Sequence, residues 1–151
     1  MRKLILFSAG ALALAGCDFA GGSDDVTASI SRIQASGLPA ASDPDGSAPD
    51  VFFEVQDITG RSFYRSAVVE NADISQEAVA AISGSVSVPS STMPLQISVY
   101  DYDTSLTEST LMARSTTFTA DEVAATPELT LDATASAGTQ FTVVRGAVAA
   151  E

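Results

Sequence analysis

The sequence predicts an all-β protein, an eight-stranded antiparallel β-sandwich of two sheets. Three observations carry that expectation. Between Val26 and Val148 apolar and polar residues alternate with period two in short runs rich in β-branched and aromatic side chains, as half-buried strands do. The runs are separated by Gly, Pro, Asp and Ser, which favour turns. No connection holds the roughly 10–15-residue amphipathic helix that a parallel α/β sheet requires.

The strands follow in chain order. Val26, Ala28 and Ile30 alternate with Thr27, Ser29 and Ser31 in the first. Val51, Phe53 and Val55 alternate with Phe52, Glu54 and Gln56 in the second, and Asp57 to Gly60 supplies a hairpin turn before a return over Phe63 to Val69. A fourth strand runs from about Ile82 to Val88, and Pro89 to Pro94 breaks the chain. Leu95, Ile97 and Val99 alternate with Gln96, Ser98 and Tyr100 in the fifth. Leu111 to Phe118, Glu128 to Leu131 and Gln140 to Arg145 complete the set, and Ser75 to Ala81 and Ala120 to Ala125 are expected to be helical turns.

The amino-terminal segment belongs to a different category. Met1-Arg2-Lys3 is a positively charged start, Leu4 to Ala13 an apolar stretch, and Leu14-Ala15-Gly16 sets small residues before Cys17, the sole cysteine. The pattern is that of an export signal, and the 13 residues from Leu4 to Gly16 fall short of the ~20 that span a bilayer. Leu14-Ala15-Gly16-Cys17 resembles the lipobox of bacterial lipoproteins, which implies cleavage before Cys17, lipidation of its thiol and acylation of the new amino terminus. An ordinary secretion signal with an incidental cysteine is the alternative. The expected organisation is a signal peptide over 1–16, a lipidated Cys17 with a linker over 17–25, a sandwich domain over 26–148 and a tail over 149–151. Asp18 resembles a signal for inner-membrane retention in some enteric bacteria, a rule that varies between groups, so the choice of membrane stays open. The expected location is the bacterial cell envelope, lipid-anchored and facing the periplasm or the cell surface.

All 19 acids follow Cys17, whereas Arg2 and Lys3 precede it; a chain starting at Cys17 holds five arginines and no lysine, a net charge of −14. Such a surface repels nucleic acid and anionic lipid unless a cation intervenes. The sequence has no histidine and the mature part no lysine, so neither a Ser-His triad nor a Ser–Lys dyad can form. The expectation is a protein that is not an enzyme.

Two acidic loops remain. Asp43-Pro44-Asp45-Gly46-Ser47-Ala48-Pro49-Asp50 precedes the second strand, and Asp101-Tyr102-Asp103-Thr104-Ser105-Leu106-Thr107-Glu108 leaves the fifth. Neither contains Lys or Arg. Two carboxylates ~4 Å apart repel by about 4 kcal/mol at an effective dielectric of 20. A divalent cation relieves that repulsion, and calcium suits loops rich in carboxylates and carbonyls. The competing reading is that both loops are solvated acidic turns on a generally acidic surface. Leu38 and Leu106 lie near the loop tips, as ordinary surface residues or as points of lipid contact.

The order of strand, Asp-Gly loop, Pro49-Asp50-Val51-Phe52-Phe53-Glu54-Val55 and later Val99-Tyr100-Asp101-Tyr102-Asp103 resembles the C2 domain, the calcium-dependent lipid-binding β-sandwich. The resemblance implies a calcium site formed by Asp43, Asp45, Asp50, Asp101, Asp103 and Glu108. In this chain Pro49 precedes Asp50, and Leu111-Met112 stands where an aliphatic–Gly pair is common. Arg61 and Arg65 are the only cations where phosphoinositide-binding members carry a lysine cluster, which argues against that ligand. The combined expectation is a membrane-anchored lipoprotein with a non-catalytic, C2-like, calcium-binding sandwich and an envelope protein or lipid as partner. The alternative is a metal-independent structural or adhesin-like interaction module with an immunoglobulin-like sandwich.

Overall fold

The structure is a computed structural model that describes residues 26–40, 46–75, 77–82, 85–103 and 108–146. Among these residues are ten strands and one short helix: β1 (Val26–Ala28), β2 (Ile30–Ser36), β3 (Val51–Asp57), β4 (Ser62–Arg65), β5 (Glu77–Ala81), β6 (Val86–Val88), β7 (Leu95–Asp101), β8 (Thr110–Arg114), α1 (Ala120–Ala125), β9 (Glu128–Asp132) and β10 (Gln140–Arg145). Two four-stranded sheets, β5-β2-β10-β9 and β4-β3-β7-β8, are antiparallel throughout, and β1 pairs with β6.

The β1–β6 pair extends the β2–β5 ladder. Val26 stands opposite Val88 and Arg32 opposite Ala81, six residues along one strand against seven along the other. That offset is a single inserted residue, bridged by the Ile82 N–H donating to the Ser31 carbonyl at 2.8 Å. With β1–β2 and β5–β6 each counted once, the total is the expected eight, all paired antiparallel.

Period two explains what is buried between the sheets. Val51, Phe53 and Val55 of β3 and Leu95, Ile97 and Val99 of β7 meet Ile30, Ile33 and Ala35 of β2 and Phe141 and Val143 of β10 in one core. Burying a Val, Leu, Ile or Phe side chain stabilises by about 1.5–3 kcal/mol relative to leaving it exposed. The edge by β8 and β9 is closed by hydrogen bonding: Ser115 bridges Ala133, and the Thr134 N–H donates to the Arg114 carbonyl at 2.8 Å.

Three local expectations change. The segment from Ser75 to Ala81, read as a helical turn, contains strand β5. Alanine's high helix propensity is overridden by tertiary context: here Ala78 and Ala80 alternate into the core while the backbone pairs with β2. Of the expected Ile82 to Val88 strand, Val86–Val88 is β6, and residues 83–84 lie outside the described residues. The Phe63 to Val69 return leaves the ladder after Arg65: the Ser66 hydroxyl takes the Phe53 N–H at 2.9 Å, and Val69 rejoins as an isolated bridge to Val51. By contrast, Ala120 to Ala125 is the expected helix, and Asp57 to Gly60 the expected turn, with the Gly60 N–H on the Asp57 carbonyl at 3.0 Å.

Candidate functional site

β2, β4, β7 and β9 end, and β3, β5, β8 and β10 begin, at one end of the sandwich. That end carries the connections 37–50, 66–76, 102–109 and 133–139, including both acidic loops. Backbone pairing stitches the first three together. The Tyr102 N–H donates to the Asp50 carbonyl at 2.6 Å, and the Ala72 N–H to the Pro49 carbonyl at 2.8 Å. Asp50 Oδ1 accepts the Asn71 N–H at 2.7 Å, at a residue whose φ of 50° lies in the left-handed region. The Asp50 carboxylate thus fixes the bend of the 66–76 connection.

Val51 is in register with Asp101, so the structure brings the candidate residues Asp50 and Asp101 to neighbouring strand ends. Asp101 also pairs with Thr110 of β8 and is buried, with 7% of its surface exposed. Asp103 and Glu108 are exposed. Asp43 and Asp45 lie outside the described residues, as do Cys17 and Leu106. Among the described residues no group of three or more His, Cys, Asp or Glu side chains is disposed to hold a metal ion. The described acids therefore do not by themselves supply the 6–8 oxygens that calcium takes. Leu38, one of the two leucines considered for lipid contact, is part of the core.

At the same end, the first and fourth connections touch. Gly37 has φ +65°, and a Cβ built there would fall on the Gly138 carbonyl oxygen. The Thr139 hydroxyl donates to the Gly37 carbonyl at 2.6 Å across this contact. Glycine is needed at position 37 both for its backbone angle and for this close approach.

A second feature was not anticipated from the sequence. Simple alternation would expose Phe52, Glu54 and Gln56 on the outer face of β3, yet all three are buried. Register explains it: Arg65, Glu54, Ser98 and Arg114 form one row across β4, β3, β7 and β8. Arg65 pairs with Glu54, and Arg114 Nε donates to the Ser98 hydroxyl at 3.1 Å. The Gln56 amide reaches the hydroxyls of Ser98 and Tyr100. Phe52 stacks on Tyr100 with ring centroids 5.2 Å apart and meets Tyr102 edge-on at 6.3 Å. The long arginine and tyrosine side chains cover the shorter residues beneath them. The signal available in the sequence was the aromatic Phe52 among outward-facing polar positions, with Tyr100 near the end of another strand and Tyr102 just beyond it.

Charge and solvation act at two further positions. Asp57, at the hairpin, is held below the usual carboxylate pKa, chiefly by the Thr59 hydroxyl and also by the Arg61 and Thr59 N–H groups and the Arg61 charge, against an opposing effect of desolvation. Burial raises the pKa of the Tyr64 hydroxyl.

No protein-family model matches the sequence, and no curated protein matches it. Solved structures do resemble it in fold. BON1-C2B superposes with a TM-score of 0.51 at 16% identity, over 77% of this chain and 89% of that one. A structure described as "CC2D1B coordinates ESRCT-III activity during the mitotic reformation of the nuclear envelope" gives a TM-score of 0.43 at 15% identity, over 80% of this chain and 56% of that one. At such identities the likeness concerns fold alone, and the first comparison agrees with the strand order described above. The chain folds as a C2-like, all-β antiparallel sandwich.

Proposed function

We propose that this protein is a lipid-anchored bacterial lipoprotein whose C2-like domain is a non-catalytic binding module of the cell envelope, acting through the end of the sandwich that carries the acidic loops. The observation that carries this reading is the convergence of the 37–50, 66–76 and 102–109 connections at one end, with Asp50 directly before β3 and Asp101 at the end of the adjacent β7. The anchor is the acylated Cys17, and multiple acyl chains give stable attachment where one binds marginally. The partner is an envelope protein or a lipid.

Calcium enters this proposal as a ligand of Asp43, Asp45, Asp50, Asp101, Asp103 and Glu108. It depends on the two acids outside the described residues, because no three described acids are disposed to hold a metal ion, and Asp50 Oδ1 accepts the Asn71 N–H. That same bond favours a second reading, in which the loop end binds its partner without metal and Asp50 is a structural cap.

Thermal melts with calcium, with magnesium and with chelator at matched ionic strength separate the two. A site whose dissociation constant is one hundredth of the added calcium contributes about 2.7 kcal/mol. An unchanged midpoint, or an equal gain from magnesium, would reject the calcium site and leave the metal-independent module. For the anchor, Cys17→Ala is expected to move the protein from the membrane to the soluble fraction, and continued retention would reject lipidation at Cys17.

A further inference from the structure

We infer that the loop end of the sandwich is held away from the bilayer carrying the anchor, so that it meets its ligand in trans and does not dip end-on into its own membrane. The inference rests on the proposed anchor at Cys17 and adds the direction in which the domain points.

The strand directions supply the argument. β2 ends at Ser36, in register with Glu77 and Gln140, and those residues border the loop end. Val26 lies at the opposite end of the same bulged strand. There the Gly146 N–H donates to the Ser29 carbonyl at 2.8 Å, α1 packs on β1, and the Asp57 to Gly60 hairpin closes β3 and β4. The chain thus enters the domain at the α1 end. Ten residue steps separate Val26 from Ser36, and at ~3.3 Å per step the loop end stands about 33 Å from the point of entry.

Nine residue steps separate Cys17 from Val26. Whatever its conformation, a segment of that length spans no more than about 32 Å. With the loops pointing down, Val26 would have to stand above the lipid by the whole length of the β1–β2 strand and the connections beyond Ser36. The tether is too short even at full stretch. With the α1 end down, Val26 lies beside the membrane and no stretch is needed.

Energy transfer to lipid tests the orientation. The full lipidated chain is placed in phosphatidylcholine vesicles doped with an acceptor-labelled lipid, Cys17 being blocked by its acyl group. A donor is attached through Ile58→Cys at the hairpin or Ala137→Cys in the 133–139 connection, both exposed positions. Several-fold stronger transfer from position 58 than from 137 is expected. A Gly/Ser insert of about 20 residues after Asp18, which removes the length limit, is expected to abolish most of the difference. Equal transfer from the two positions means a domain lying along the surface, and stronger transfer from 137 means loops facing the lipid; either overturns the inference with the anchor intact. A difference that persists with the long insert overturns it as well. Failure of both labelled chains to sediment with vesicles overturns the anchor itself, and the inference falls with it.

Discussion

Arg65 lies opposite Glu54 on the outer face of the sheet, its Nε donating to Glu54 Oε1 at 2.6 Å while its guanidinium sits 5.5 Å from the centre of the Phe52 ring. The pair is asymmetric: the Glu54 side chain is 8% exposed and that of Arg65 43%. Arginine neutralises the carboxylate and covers the aromatic ring together, which a lysine ammonium cannot reproduce.

Loss of the arginine is therefore expected to cost more than loss of the carboxylate charge. Removing one partner of a fully buried pair costs about 3–5 kcal/mol, and solvent screening at the half-exposed Arg65 reduces this to about 1–2 kcal/mol. Arg65→Ala strands a buried carboxylate, whereas Glu54→Gln keeps the volume and leaves an arginine that reaches water. Urea midpoints should fall in the order wild type, Glu54→Gln, Arg65→Lys, Arg65→Ala. A Glu54→Gln protein less stable than Arg65→Ala would refute the asymmetry.

Gly37 and Gly46 make a controlled comparison. Both have positive φ, +65° and +83°, but a Cβ at 37 meets the Gly138 backbone whereas one at 46 has nothing within 4 Å. Alanine at either position incurs the left-handed backbone cost, about 1 kcal/mol. Only Gly37→Ala must also part the first and fourth connections, including the Thr139 to Gly37 hydrogen bond. Gly37→Ala should lower stability at least twice as far as Gly46→Ala in thermal melts, and equal losses would show that the Gly37–Gly138 contact gives way without cost.

Acid should loosen the hairpin at Asp57 through a group whose folded pKa lies below its ordinary value of 3.8. With a depressed folded pKa, the unfolded chain takes up the proton first as pH falls. The contribution is complete well above 3.8 and is lost as pH drops through the folded value. Thr59→Val removes the largest cause, since the Thr59 hydroxyl donates to Asp57 Oδ1 at 2.6 Å. Carboxyl NMR titration should show the Asp57 pKa rising toward 3.8 in Thr59→Val, and an unmoved value would assign the shift to the backbone N–H groups and the Arg61 charge.

How far sequence reading reaches is visible in particular residues. Val51, Phe53 and Val55, and Leu95, Ile97 and Val99, declare their inward face because a strand's side-chain period is two and the core is apolar. Asp57 to Gly60 declares a turn through local chemistry. Ala78 and Ala80 do not declare a strand, since alanine fits either periodicity and only pairing with β2 decides. Glu54 reads as a solvent-facing acid until register sets Arg65 on one side of it and Ser98 on the other. The acidic loops are legible as clusters, but the partner of Asp50 is not: Asn71 is twenty-one residues away and arrives only because Val69 bridges Val51. Local pattern reports which side of an element is apolar, and long-range register decides what its polar side touches.

The short helix depends on its cap. Thr119 Oγ1 accepts the Glu122 N–H at 3.2 Å, and Glu122 Oε2 accepts the Thr119 N–H at 2.7 Å, a reciprocal capping box on a helix of six residues. A helix so short is not stable alone; the cap and the burial of Ala120 and Val123 hold it. Thr119→Ala is expected to cost about 1 kcal/mol, and Glu122→Gln, which can keep both bonds in neutral form, less. Because α1 packs at the end where the chain enters the sandwich, the loss should be partly local: amide exchange at Glu122 and Val123 should quicken more than at Ile97 in the core. Equal acceleration at all three would mean that the helix opens only with the whole domain.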